Sequence, residues 1–198
     1  MATSTENKTI SNFKSQLTGG GARPNLFQVE LANLPAAVPA GLFDSTKMQY
    51  MCKAASLPAS NIANIDIPFR GRIFKVAGDR TFDVWTVTII NDEDFLLRNA
   101  FEGWMDQISK LQNNLGATEP ASYMTDATVH QLGRGSVKNS KDNSGEVNSI
   151  LKSYKFIDIF PTAISAIDLS YDTGDAIEEF TVDFQVQTFE LISGGPNG

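Results

Sequence analysis

Asn91-Asp92-Glu93-Asp94 is a dense run of oxygen ligands, and two kinds of chemistry could use it. Adjacent carboxylates can hold a divalent cation that activates water, which would make the chain a small hydrolase built on Asp92, Glu93 and Asp94. The same run stands directly before a helical pattern and therefore also reads as a helix start. Asn91 or Asp92 would cap, and Glu93 and Asp94 would sit where the helix dipole favours negative charge. Capping is the better reading, because no histidine and no second acidic cluster at ligand spacing accompanies the run.

The other reactive side chains are sparse. His130, in ATVHQL, is the single histidine and falls on a short strand, where a structural role is the ordinary one. Cys52 is the single cysteine, which excludes an internal disulfide framework and a multi-thiolate metal site. Its alternating surroundings, MQYMCKA, predict a buried apolar role. The sequence contains no G-x-S-x-G elbow, P-loop or H-E-x-x-H motif, and GGGA and GRGS are too short to cradle phosphate. Asp79, Arg80 and Asp83 form a candidate ion-pair set, within the fold or across an interface. Trp85 and Trp104 read as core anchors. No catalytic residue, cofactor or metal is expected.

Composition narrows the class further. The 198 residues carry a net charge of −7 and 41% hydrophobic residues, as expected for one globular domain. No Lys/Arg cluster offers the basic patch that phosphate-driven nucleic-acid binding requires. MATSTENKTISNF has neither a basic nor an apolar leader region, so no secretory signal is expected, and no apolar run is long enough to span a bilayer. These features predict synthesis in the cytoplasm as a soluble chain.

The elements that must position these residues are mostly strands. A polar arm (1–22), taken as flexible, precedes a strand at Asn25–Leu31. An apolar loop, Leu34–Thr46, follows, with Leu34, Val38, Leu42 and Phe43 in need of cover. A second strand is expected at Lys47–Ala55. SLPASNIANIDIPF reads as a crossing segment, and a strand runs through KVAGDRTFDVWTVTII. Alternation there puts apolar groups on both faces: Phe82, Val84 and Ile90 on one, Trp85, Val87 and Ile89 on the other.

From Phe95 the period becomes helical. Leu97, Phe101, Trp104, Ile108, Leu111 and Leu115 form a stripe, with Asn114 and Gly116 as a stop. ATVHQL is followed by a polar excursion, Gly133–Ser149. The remaining strands are LKSYKFIDIF, ended by Pro161, then AISAIDLSY and EEFTVDFQVQTFEL. The tail, 193–198, is expected to be flexible. The pattern is α+β, mainly antiparallel β with one substantial helix.

Four stretches carry a family resemblance: ARPNLFQVE (Ala22–Glu30), CKAASLP (Cys52–Pro58), VAGDRTFDVWTV with INDE (Val76–Val87, Ile90–Glu93), and the strand ended by FPT (Phe160–Thr162). In this order and spacing they resemble the tail tube proteins of contractile-tailed bacteriophages, from about Arg23 to Leu191. Arg23, Pro24, Asn25, Phe27, Gly78, Asp79, Arg80, Thr81, Asp83 and Trp85 carry the match residue by residue.

The resemblance implies a β-sandwich or partly open barrel with one flanking helix, occupying residues 23–192. It implies a structural, non-enzymatic subunit that forms hexameric rings stacked into a tube, with sheets joined between subunits and viral DNA passing down the lumen. Implied partners are further copies of the chain, the sheath, the tape-measure protein, the baseplate hub and the tail terminator, in a virion assembled in the host cytoplasm.

On this reading Asp83, Trp85, Val87 and Ile89 are covered partly by the helix and partly by a neighbouring subunit. The Leu34–Thr46 loop is a candidate inter-ring contact, and Glu179, Asp183, Gln185 and Gln187 are lumen candidates. The tube of a secretion or bacteriocin machine has the same wall and is the nearest alternative. A monomeric ligand-binding β-sandwich is a third.

Overall fold

A computed structural model describes residues 9–17, 20–31, 34–35, 43–138, 146–172 and 174–194. In chain order the elements are α1 (Ile10–Gln16), β1 (Phe27–Leu31), α2 (Ser45–Met51), β2 (Cys52–Ala55), β3 (Ser60–Phe69), β4 (Arg72–Phe82), β5 (Trp85–Ile90) and α3 (Leu96–Ile108). After a 3-10 turn at Pro120–Ser122 come β6 (Thr125–Lys138), β7 (Glu146–Ile164), β8 (Glu179–Gln185) and β9 (Thr188–Gly194).

Every strand pairing is antiparallel, in the order β1-β6-β7-β8-β5-β2, with β9 also on β7. β7 belongs to two layers. Its stretch Lys152–Ile157 pairs with β9, and its end, Phe160–Ile164, pairs with β8. Asp158, at φ 54°, makes the corner between them. Asp126 on β6 holds that corner, accepting the Asp158 backbone N–H at 3.2 Å and pairing with Lys155 at 2.6 Å. The result is the expected α+β sandwich, with α3 packed on it and β1, β2 and β9 left as edges.

The core lies between the layers. Phe180, Val182, Phe184 and Val186 from the β8 region meet Trp85, Val87 and Ile89 from β5, and Leu97, Phe101 and Trp104 from α3 close over them. This changes one expectation. Trp85, Val87 and Ile89 are at most 3% exposed in the single chain, so no neighbouring subunit is needed to cover them, while Asp83 beside them is exposed. The strand through this region is also broken at Asp83–Val84, so its two halves, β4 and β5, have separate environments.

Several boundaries differ from the sequence pattern, each for a physical reason. Lys47–Ala55 is not one strand. Asp44 caps α2 by accepting the Thr46 and Lys47 N–H groups at 2.8 and 3.2 Å, and Met48 turns into the core. The supposed crossing segment contains the whole of β3. Within the arm, Thr9 caps α1 through the Asn12 N–H at 3.3 Å.

The helical stripe ends at Ile108, because Leu111 and Leu115 are 93% and 66% exposed. The chain folds back there so closely that a Cβ on Gly116 would lie 1.9 Å from the Ile108 carbonyl oxygen. β6 and β7 occupy much of the Gly133–Ser149 excursion, leaving 139–145 outside the described residues. Pro161 does not end β7: it pairs with Phe184 beside a register shift that absorbs its missing donor. Of AISAIDLSY only Ala163–Ile164 is strand, and the last predicted strand breaks at Val186–Gln187 into β8 and β9.

Candidate functional site

The candidate reactive side chains are engaged within the fold. Asn91 is buried, bonded through its amide to Glu178 at 2.9 Å, and caps nothing. The N-cap of α3 is Phe95 in the left-handed region, φ 52°. Asp94 still serves the helix start by accepting the Leu96 N–H at 2.9 Å. Asp92 and Asp94 both pair with Lys47 of α2, which is 2.9 Å from Asp92. Those hydrogen bonds hold both carboxyls below their usual range and raise the Lys47 ammonium above its own. The run is a clamp between α2 and α3. Among the described residues no three His, Cys, Asp or Glu side chains gather as a metal set.

His130 stands in a sequence of groups that resembles a relay. Its Nδ1 is 2.7 Å from Ser153 Oγ and its Nε2 is 3.5 Å from Glu30 Oε2. Ser153, however, is 2% exposed in the middle of β7, between β6 and β9, so its hydroxyl is buried among strands. The set joins β1, β6 and β7. Burial pushes the Cys52 thiol up to about 12, which leaves it without thiolate character near neutral pH.

What the fold leaves unsatisfied is a surface. β3 and β4 form a separate two-stranded sheet, joined by a two-residue turn in which Arg70 and Gly71 have φ of 45° and 82°. Paired residues of an antiparallel ladder share a face. One face therefore carries Ile65 opposite Val76, Ile67 opposite Phe74, and Phe69 opposite Arg72. The other carries Asp66 opposite Lys75 and Pro68 opposite Ile73. All these side chains are exposed, Phe69 and Phe74 at 66% and 65%. An isolated hairpin is marginal in water, and one dry face without cover calls for a partner. Sequence reading missed this surface by treating β3 as a connection; the alternation I-D-I-P-F before R-G-R was the available signal.

A model of the phage tail tube protein family matches residues 22–191. The chain belongs to this family. It is 32% identical over 173 residues to the tail tube protein gp19 of Enterobacteria phage T4, a match covering 87% of this chain and 93% of that protein. In fold it is similar to a chain of the anti-feeding prophage baseplate, with TM-score 0.59 and 11% identity, covering 89% of this chain and 97% of the other. A chain of the extended sheath–tube complex of an extracellular contractile injection system gives 0.54 and 13%, covering 93% and 98%.

The tail tube resemblance residues fall in two places. Arg23, Pro24 and Asn25 are exposed in the turn before β1, and Gln131 donates to the carbonyls of Arg23 and Leu26 at 2.9 and 2.7 Å, docking that turn on β6. Phe27 opens β1, half-buried against the core. Gly78, Asp79, Arg80 and Thr81 lie on β4 and lead to Asp83 and Trp85. Asp83 accepts from the Asn61 amide at 2.8 Å, and Trp85 stacks on Phe156 with ring centroids 4.4 Å apart and donates to Ser56 O at 2.9 Å. Among the described residues no ion pair involves Asp79, Arg80 or Asp83.

Of the loop candidates, Leu34 and Phe43 pack on the chain's own core, Phe43 edge-on to Phe101 at 6.4 Å. Val38 and Leu42 lie outside the described residues. Glu179, Asp183 and Gln185 share the outer face of β8, opposite in phase to Phe180, Val182 and Phe184. Glu179 pairs with Lys53, and Asp183 accepts from Thr86 Oγ1 at 2.5 Å. Gln187 lies beyond β8, exposed in the bend before β9.

Proposed function

We propose that this chain is the wall subunit of a phage tail tube, forming hexameric rings that stack into a hollow cylinder through which viral DNA passes at ejection. The observation that carries this is the β3–β4 hairpin. Its dry face is built at a cost of about 1.5–3 kcal/mol per exposed large apolar side chain relative to burial, and that cost is recovered only against another molecule. The edges at β1, β2 and β9 would join between copies, removing free strand edges from the finished tube. Asp79, Arg80, Asp83 and the Arg23–Phe27 turn are proposed intersubunit residues; of the proposed inter-ring loop, Leu34 and Phe43 pack on the chain's own core, which leaves Val38 and Leu42 as its contact candidates.

The outer face of β8 and β5 supplies the lumen. It presents Asp183, Gln185, Thr86 and Thr88, with Lys53 neutralised by Glu179. Gln187 stands at its end. A face without unpaired cations lets a polyanion slide, where a basic one would hold its phosphates. Sheath, tape-measure protein, baseplate hub and tail terminator are the partners this role requires, and the subunit itself performs no catalysis. Residues 23–192 form the working domain, between a terminal arm and a short tail. The tube of a secretion or injection machine would share this geometry; the 32% identity to the T4 protein favours the phage assignment.

Negative-stain electron microscopy across a concentration series, with light scattering for mass, tests the reading. Hollow rings or tubes of uniform width are expected. Persistent monomers in the presence of a matching baseplate would overturn it.

A further inference from the structure

The hairpin tip and a groove between α3 and β7 are complementary in polarity and charge. We infer that the tip of one copy seats in the groove between α3 and β7 of a second copy. This rests on the tube-subunit reading and specifies which surfaces meet.

The groove has a volume of about 670 Å3, within the range of roughly 300–1,000 Å3 that takes a compact group of side chains or a ligand. Met105, Ile108, Phe160 and Ile164 make its wall apolar, and Leu111, 93% exposed, stands at its margin. Glu102 and Asp106 add negative charge. Glu102 already pairs with Arg98 at 2.6 Å, and one oxygen of Asp106 accepts the Leu111 N–H at 3.1 Å. Each carboxylate has a second oxygen for an incoming donor.

The hairpin end matches this arrangement. Between residues 66 and 75 it carries Arg70, Arg72 and Lys75 against the single carboxylate Asp66, in a chain whose net charge is −7. Phe69, Phe74 and Arg72 share the dry face, so two aromatic rings and a guanidinium leave it together. Arg70 lies over the Phe69 ring at 5.4 Å, a contact that keeps that charge beside the ring. Rings against the apolar wall and Arg72 against Asp106 would satisfy both partners, with charge selecting the register.

Two experiments on the full chain test this. Phe69→Cys with Leu111→Cys, polymerised and then oxidised, should give a ladder of covalent multimers. Phe69→Cys with Leu169→Cys should remain largely monomeric under denaturing conditions. Cys52 is 8% exposed and does not compete. Arg72→Asp should reduce the assembled fraction about ten-fold, and adding Asp106→Arg should restore it, as expected for a coupled charge pair. All these sites are partly or largely exposed, and unchanged melting of each variant confirms that folding is not at issue. Wild-type tubes that form normally, with no specific cross-link or no charge-swap rescue, would overturn the pairing alone. Absence of wild-type tubes on a matching baseplate would overturn the tube reading and the pairing with it.

Discussion

Lys47 ties together two helices that sequence order separates, and its partners give the contact a defined pH window. Hydrogen bonding to Asp94 and then to Asp92 raises the lysine above its ordinary value of 10.5, and hydrogen bonding from Lys47 lowers both carboxyls below 3.8. The carboxylate contribution to stability is present above the ordinary value and disappears as pH falls through the lowered one. The lysine contribution is complete below its ordinary value and disappears as pH rises through the raised one. The clamp therefore acts from the mildly acidic range to about pH 10. Lys47→Met should lower the melting temperature throughout that window, with the difference from wild type shrinking below about pH 4 as the carboxylates protonate. A deficit that persists unchanged at pH 2 in thermal melts would show that the lysine acts through packing of its alkyl chain. Nothing in Asp-Glu-Asp itself distinguishes a metal site from such a clamp. The deciding residue lies 45 positions upstream of Asp92, on a helix the alternating pattern disguised as a strand.

At the scale of elements, the core and the surface proposed for assembly lie in different strands. α3 belongs to folding: Phe101 is fully buried and meets Trp104, Phe180 and Phe184 with ring centroids 6.0–6.5 Å apart. Phe101→Ala should cost about 3–5 kcal/mol in denaturant unfolding, through lost transfer energy and a cavity beneath the helix. The hairpin is the element proposed for assembly. Ile65→Ser, Ile67→Ser and Phe74→Ser together should change the unfolding free energy of the monomer by less than about 1 kcal/mol, because these side chains touch no core. The same triple variant should sediment as a monomer at concentrations where wild type polymerises. Equal loss of both properties would mean that the hairpin folds onto the body in solution. This division explains what was legible in the sequence. Phe180-x-Val182-x-Phe184 and the Leu97–Trp104 stripe were readable because their own periodicity matches the face they bury. β3 was not, because Pro58 and Pro68 hid a strand whose dry face has no partner in the same chain. α2 was missed because its Asp44 cap lies inside the apolar loop, and β7 because a bulge, invisible in sequence, carries the strand past Pro161.

The whole molecule is acidic, yet its charges are not distributed evenly. Cations gather at the hairpin end, a small Arg70, Arg72 and Lys75 cluster that the sequence reading did not recognise, where a second copy is proposed to meet them, and the outer face of β8 and β5 offers carboxylate, amide and hydroxyl groups. A tube must satisfy two opposed requirements: subunits that adhere to one another and a bore that adheres to nothing passing through it. Separating basic contact surfaces from a neutral or acidic wall meets both, since counterion release drives DNA binding only where cations line up along the phosphates. Asp183→Lys with Gln185→Lys tests the assignment of the bore. Both positions lie on the sheet face away from the core, so tubes of normal width are expected by electron microscopy. Those tubes should retain DNA that wild-type tubes release, and each added phosphate contact should steepen the fall of retention with salt, by about 0.9 in the log–log slope for duplex DNA. Normal tubes whose DNA retention matches wild type at low salt would place this face outside the lumen and turn the search for the bore to the outer face of β1, β6 and β9.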